Sequence, residues 1–208
     1  MIYPLLGTWL DTENSVHSPL TIDAIQQAGF DASEPTCDEA YLDKLLETYT
    51  YTYGGFLEKR NIYERSEHFK VDGEYRNMHL GLDVWTSAGT PLYAPFDLKL
   101  HSFKNNDNYG DYGPTAIFHG NEEYPFLLVG HLALDDIGLW SSKTEYKEGE
   151  VIGHLGKPSE NGGWSPHVHL QVMRDMQGLL GDYPGVCSPS QLEEYKKNLI
   201  DPVGLVSK

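Results

Sequence analysis

Alternation of apolar and polar residues is cleanest in Ser165-Pro-His-Val-His-Leu-Gln-Val-Met173. In an extended strand, residues i and i+2 point to one face, roughly 6–7 Å apart along the chain. His167, His169 and Gln171 therefore share a face, while Val168, Leu170 and Val172 share the other, which must pack into a core. Shorter β-prone runs at 91–94, 98–103, 115–118 and 126–131 are separated by turns of Gly, Asn and Asp. Residues 60–175 thus carry the signature of an antiparallel β structure.

The two ends read differently. Residues 1–58 are expected to form a helical extension, and residues 59–208 the main domain. Ser18-Pro19 suggests an N-cap followed by proline in the first turn, with Gly29 closing that helix. Thr36-Cys-Asp-Glu39 fits a capping box ahead of Tyr41, Leu42, Leu45 and Leu46. Ser188-Pro-Ser-Gln191 is another, predicting a helix to about residue 198, ended by Asp201-Pro202. The fold class expected is mainly β, α+β overall, with N- and C-terminal helices.

Candidate chemistry concentrates in three stretches: His79-Leu-Gly-Leu-Asp83, Gly130-His131-Leu132 and His167-Val-His169. A catalytic zinc takes three protein donors, neutral imidazole or carboxylate, and keeps one position open. His79, Asp83 and one of the paired histidines can supply three, leaving two histidines for proton transfer or charge stabilisation. The four-residue spacing of His79 and Asp83 puts them on one face of a strand or a helix, and Gly81, Gly89 and Pro91 argue against a helix. A lone H-x-H pair is incidental more often than not in a chain with nine histidines, so the wider pattern decides. His17, His68 and His101 have no partner at ligand spacing, His119 stands at a strand end and His154 in a Gly-flanked turn, and all five are expected outside the site. Trp85 and Tyr93 are expected in the core, and Trp164 either in the core or as a wall of the substrate groove.

The run from His79 to Pro95, with its H-x-G-x-D and Gly-Thr-Pro-Leu-Tyr-Ala, resembles the first signature of the lysostaphin/LytM-type zinc metallopeptidases. Gly149-Glu-Val-Ile-Gly153, Gly156 and Gly162-Gly-Trp-Ser-Pro-His-Val-His-Leu170 resemble the later segment of that family, and Gly130-His131-Leu132 is similar to its central histidine element. The resemblance spans about residues 60–205. It implies an antiparallel barrel-sandwich (a duplicated hybrid motif) and one Zn2+ held by His79, Asp83 and His169. It further implies His131 and His167 as the catalytic histidines, and hydrolysis of amides in peptides, such as peptidoglycan cross-links, by an endopeptidase. The chain departs from the family at Val129, where an aromatic is usual, and in the loop 104–114. These departures bear on the substrate and leave the metal ligands unchanged.

Two other classes share this kind of fold. A histidine phosphocarrier would pass a phosphoryl group between paired histidines, but Asp83 would repel it. An inactive peptide- or glycan-binding module usually lacks ligands, and here all five positions are filled.

Charge narrows the partners. A formal net charge of −16 disfavours nucleic acid and anionic wall polymers, pointing to a soluble peptide or peptidoglycan fragment. No apolar run approaches 18 residues, so no membrane span is expected. The first residues lack a basic region and a long apolar stretch, which sets the expectation of a cytoplasmic protein. Cys37 and Cys187 are expected to be free thiols. Hydrophobic residues make up 39% of the chain, enough for a sizeable core.

Overall fold

The computed structural model describes residues 2–208, without the side chain of His68. One large sheet dominates. In chain order its strands are β1 (Ser15–His17), β2 (Tyr51–Gly54), β3 (Leu82–Trp85), β4 (Leu98–Asn106), β5 (Gly113–His119), β6 (Phe126–Gly130), β7 (Glu145–Tyr146), β8 (His167–Met173) and β9 (Leu199–Ile200). The spatial order is β1-β2-β3-β8-β6-β5-β4-β7, with β9 continuing the β3 edge of β8. Among the strands of this sheet in the described residues, only β1 and β2 run parallel. The other pairs in this sheet are antiparallel, as the turn-rich sequence implies. Among the described residues the sheet stays open at β1 and β7 and does not close into a barrel. Pro91–Tyr93 pairs with Val151–His154, and Met78–His79 with Val186–Cys187, in small separate sheets.

The alternation along β8 has the expected consequence. Val168, Leu170 and Val172 enter the main core beside Leu82 and Val84 of β3, Leu127 and Val129 of β6, and Phe118 of β5. Burying each such side chain contributes about 1.5–3 kcal/mol before the entropy cost of ordering it. The opposite face is covered too: Ile117, Leu128 and Met173 join Leu80, Tyr112 and Tyr183 in a second cluster. Every residue of β8 is therefore buried. A strand buried on both faces is stiff, which suits a strand carrying two candidate site residues.

The first 58 residues hold two helices, α1 (Ile22–Gln27) and α2 (Cys37–Leu46), but also β1 and β2. Reading this stretch as purely helical missed the two strands, because Tyr51–Gly54 is short and its burial depends on β3 alongside. The N-cap of α1 is Thr21, whose Oγ1 accepts from the Ala24 amide, and not Ser18; Gly29, at φ +93°, does end it. Thr36 precedes α2 as expected, yet its side chain makes no capping bond. Both helices pack on Ile62 and Trp85 in a third cluster. α3 (Asp136–Ser142) buries Trp140 against the main core, and α4 (Leu192–Lys196) follows the turn begun at Ser188. No helix among the described residues is long and apolar enough to cross a membrane. Cys37 and Cys187 are free and buried, in agreement with the expectation.

Candidate metal centre

Three adjacent strands build the site. Asp83 of β3 and Gly130 of β6 both lie opposite His169 of β8 in the ladder. Directly opposed residues share a face, so the Asp83 carboxylate meets the His169 ring. His79 comes from the short strand Met78–His79, which a turn at Leu80-Gly81 separates from β3. Gly81 is needed there: a Cβ would lie 2.6 Å from the His169 ring and 2.7 Å from the Leu170 carbonyl. His131 follows β6 directly, in the left-handed region at φ 64°. All four histidines and Asp83 are buried. The five residues singled out in the sequence thus form one cluster.

Distances divide the cluster in two. His79 Nε2 is 3.0 Å from His169 Nδ1 and 3.2 Å from Asp83 Oδ2, and His169 Nδ1 is 3.0 Å from Asp83 Oδ1. His131 and His167 stand beside this trio with ring centroids 4.1 Å apart. The His167 ring also stacks on Trp85, at 5.3 Å.

Hydrogen bonds then settle where the protons are. The His79 Nδ1–H donates to the Gly55 carbonyl at 3.2 Å. The His169 Nε2–H donates to Gln171 Oε1 at 2.9 Å. Gln171 cannot present its amide nitrogen instead, because that NH2 donates to the Pro184 carbonyl at 3.2 Å. Both rings, when neutral, therefore turn bare nitrogens toward a carboxylate. Three acceptors converge with no proton among them, an arrangement that a cation resolves. Zinc bonds of about 2.0–2.1 Å would set tetrahedral donors roughly 3.3 Å apart, and the His79 and His169 nitrogens, at 3.0 Å, stand close to that.

Electrostatics agree with neutral rings. Burial, reinforced by the nearby Arg60 charge, brings His79 down to about 4. Burial and the neighbouring His167 hold His131 well below its ordinary value, and burial lowers His167 as well. Burial would raise the Asp83 carboxyl, but its polar neighbours, with Arg60 the fixed charge among them, outweigh that and hold it well below the usual range. The Nδ1–H of His131 donates to the Asn161 carbonyl at 2.8 Å, and that of His167 to the Ser165 carbonyl at 2.7 Å. Each keeps Nε2 free to accept a proton.

The centre opens into a cavity of about 1180 Å³. Trp164 forms part of its wall, edge-on to His131 at 6.3 Å, and meets Phe69 and Tyr63 at 6.3 and 6.5 Å. Trp85 is core, as expected, whereas Tyr93 is only half-buried against Tyr3. Val129 faces the main core and is not part of the cavity wall. His17, His101, His119 and His154 lie outside the cluster, and the side chain of His68 lies outside the described residues. Arg60, with no signal in the sequence, and Tyr112, from the loop 104–114 expected to bear on the substrate, also reach the site. Tyr112 packs its ring on His131 and His169 at 5.3 and 5.0 Å, over Gly130.

The sequence matches no family model and no curated protein. Among solved structures, the chain is similar to the catalytic domain of the antimicrobial peptidase lysostaphin from Staphylococcus simulans, with 18% identity, 74% of this chain and 96% of that chain covered, and a TM-score of 0.41. It is also similar to the catalytic domain of the prophage-encoded M23 protein EnpA from Enterococcus faecalis, with 20% identity, 56% and 85% coverage and a TM-score of 0.39. A third match is a zinc-containing peptidase from Vibrio cholerae, with 24% identity, 49% and 28% coverage and a TM-score of 0.37.

Proposed function

We propose that this chain is a zinc metallopeptidase of the lysostaphin/LytM type that hydrolyses amide bonds in peptides or peptidoglycan fragments. The observation that carries the reading is the convergence of His79 Nε2, Asp83 and His169 Nδ1 with no proton between them. The order and content of the sequence motifs point the same way. His79, Asp83 and His169 would hold the metal. Zinc in that position supplies Lewis acidity toward a carbonyl oxygen and toward water.

The chain's own residues supply the rest. His131 and His167 are neutral, with Nδ1–H tied to backbone carbonyls. Either can take up a proton at Nε2 and, once charged, stabilise a developing oxyanion. Trp164, Phe69 and Tyr63 wall the groove, where they can exclude water from a bound peptide. The net charge of −16 favours a small peptide or fragment over an intact anionic polymer.

Two measurements test this. Protein purified without added metal should contain about one zinc per chain. His169→Ala should lose it, whereas His131→Ala should keep it and lose about 10²–10⁴-fold in turnover. A chain that neither holds nor takes up zinc sinks the proposal, and equal zinc loss in both variants overturns the division of roles. Digestion of purified peptidoglycan and a synthetic peptide library, with products mapped by mass spectrometry, identifies the scissile bond.

A further inference from the structure

The charge nearest the three converging acceptors is one the chain itself provides. Arg60 is 1% exposed, and its Nη1 donates to Asp83 Oδ2 at 2.6 Å and to the Tyr63 hydroxyl at 2.9 Å. The guanidinium carbon lies 5.6 Å from the Trp85 ring, and Nε is 3.6 Å from a Glu58 carboxylate oxygen. Gly54, opposite Asp83 in the ladder, leaves the space: a Cβ there would collide with Arg60 Nη2. The head group is thus almost wholly enclosed, at the wall of the site cavity.

Burying this group is expensive. Nε and Nη2 make no hydrogen bond within the protein. A buried ion pair with unmet donors is poor value as a stability device, so a different role explains it better. The sign of the charge suggests which. Outer-shell partners that accept a hydrogen bond from a ligand, as Gly55 and Gln171 do here, raise its basicity and favour the metal. Arg60 does the reverse, donating to the ligand carboxylate.

We propose that Arg60 is a charge-compensating residue: it neutralises Asp83 in the metal-free chain and competes with a bound cation for that carboxylate. The inference rests on the metal reading of the site. Asp83 brings one negative charge to the ligand set and Arg60 offsets it, with the Glu58 carboxylate sharing Arg60, so a divalent ion enters a site less negative than the ligands alone would make it. The ion is held less tightly, and its charge remains available to a substrate oxygen. The same pairing lets the cluster stay folded before any metal arrives.

Arg60→Gln removes the charge and keeps an N–H donor, while Arg60→Lys keeps the charge and loses the fork. Zinc affinity is measured by competition with a chromogenic chelator, and thermal unfolding is followed with and without zinc. Arg60→Gln should bind zinc at least about tenfold more tightly than wild type, because a like charge close to the ion is gone. It should melt lower than wild type without zinc and gain more when zinc is added. Arg60→Lys should return affinity toward wild type, which a purely steric role would not require. Recovery of folded Arg60→Gln only in zinc supports the inference; failure to fold even in zinc overturns it. Wild type that takes up no zinc overturns the metal centre itself. Wild type that binds zinc while Arg60→Gln binds no more tightly overturns only the role given to Arg60.

Discussion

A histidine whose second nitrogen is tied to a carbonyl offers one lone pair in one direction, and four histidines here are held that way by Gly55, Gln171, Asn161 and Ser165. Gln171 is the most informative of these anchors. Gln171→Leu removes the acceptor for the His169 Nε2–H and frees the ring to change tautomer. Zinc affinity should fall about 10–100-fold, measured by chelator competition, with His131 and His167 undisturbed. Unchanged affinity would show that packing alone orients the ring. Burial also has a pH consequence. An unfolded histidine titrates near 6.5, whereas folded His79 titrates near 4. Between those values the unfolded chain binds the extra proton. The stability of the metal-free protein is therefore fully present above about pH 6.5 and lost as pH falls toward 4, at about 1.4 kcal/mol per pH unit for each such histidine. His131 and His167 shift in the same direction and steepen the loss. Urea unfolding of metal-free protein at pH 7, 6 and 5 checks this, and a flat profile contradicts it.

The element that matters most is β8, and its design was legible. The alternation of His167, His169 and Gln171 with Val168, Leu170 and Val172 separates site from core in a single line of sequence. The flanking strands were not legible as neighbours, because pairing of Asp83 and Gly130 with His169 joins segments dozens of residues apart. The N-terminal stretch shows the same limit: β2 is a strand because β3 lies beside it, while α1 is announced by its stop at Gly29 and α2 by the apolar positions Tyr41, Leu42, Leu45 and Leu46. Glycine carries much of the strand geometry. Gly81→Ala should push the His169 ring aside, since the new Cβ would meet it at 2.6 Å. The expected result is weakened zinc binding in a chain that still folds, visible as lost metal with a retained circular dichroism spectrum. Retention of full zinc affinity would mean that the turn can relax around a Cβ.

On the scale of the whole molecule, the groove is assembled from distant parts. Trp164 comes from the loop before β8, while Tyr63 and Phe69 come from the segment between β2 and β3. Trp164→Ala should raise KM for a peptide substrate about two- to tenfold, the scale of one lost aromatic contact, with zinc content unchanged. A change confined to kcat would move Trp164 from binding to chemistry. The antiparallel β class, the two faces of β8, the free cysteines and the five residues of the cluster could be read along the chain. The strand features follow from period-two alternation, the cysteine reading from there being only two, far apart, and the five residues from donor types taken together with the family-like order of the motifs. The tertiary structure alone decided that Arg60 lies against Asp83, that Tyr112 covers Gly130, and that Gln171 fixes the His169 tautomer. Arg60 stands 23 residues before Asp83 with no periodic link to it, and its enclosure depends on the missing Cβ of Gly54. Contacts of that kind arise from packing between strands, and a pattern read along one chain segment does not contain them.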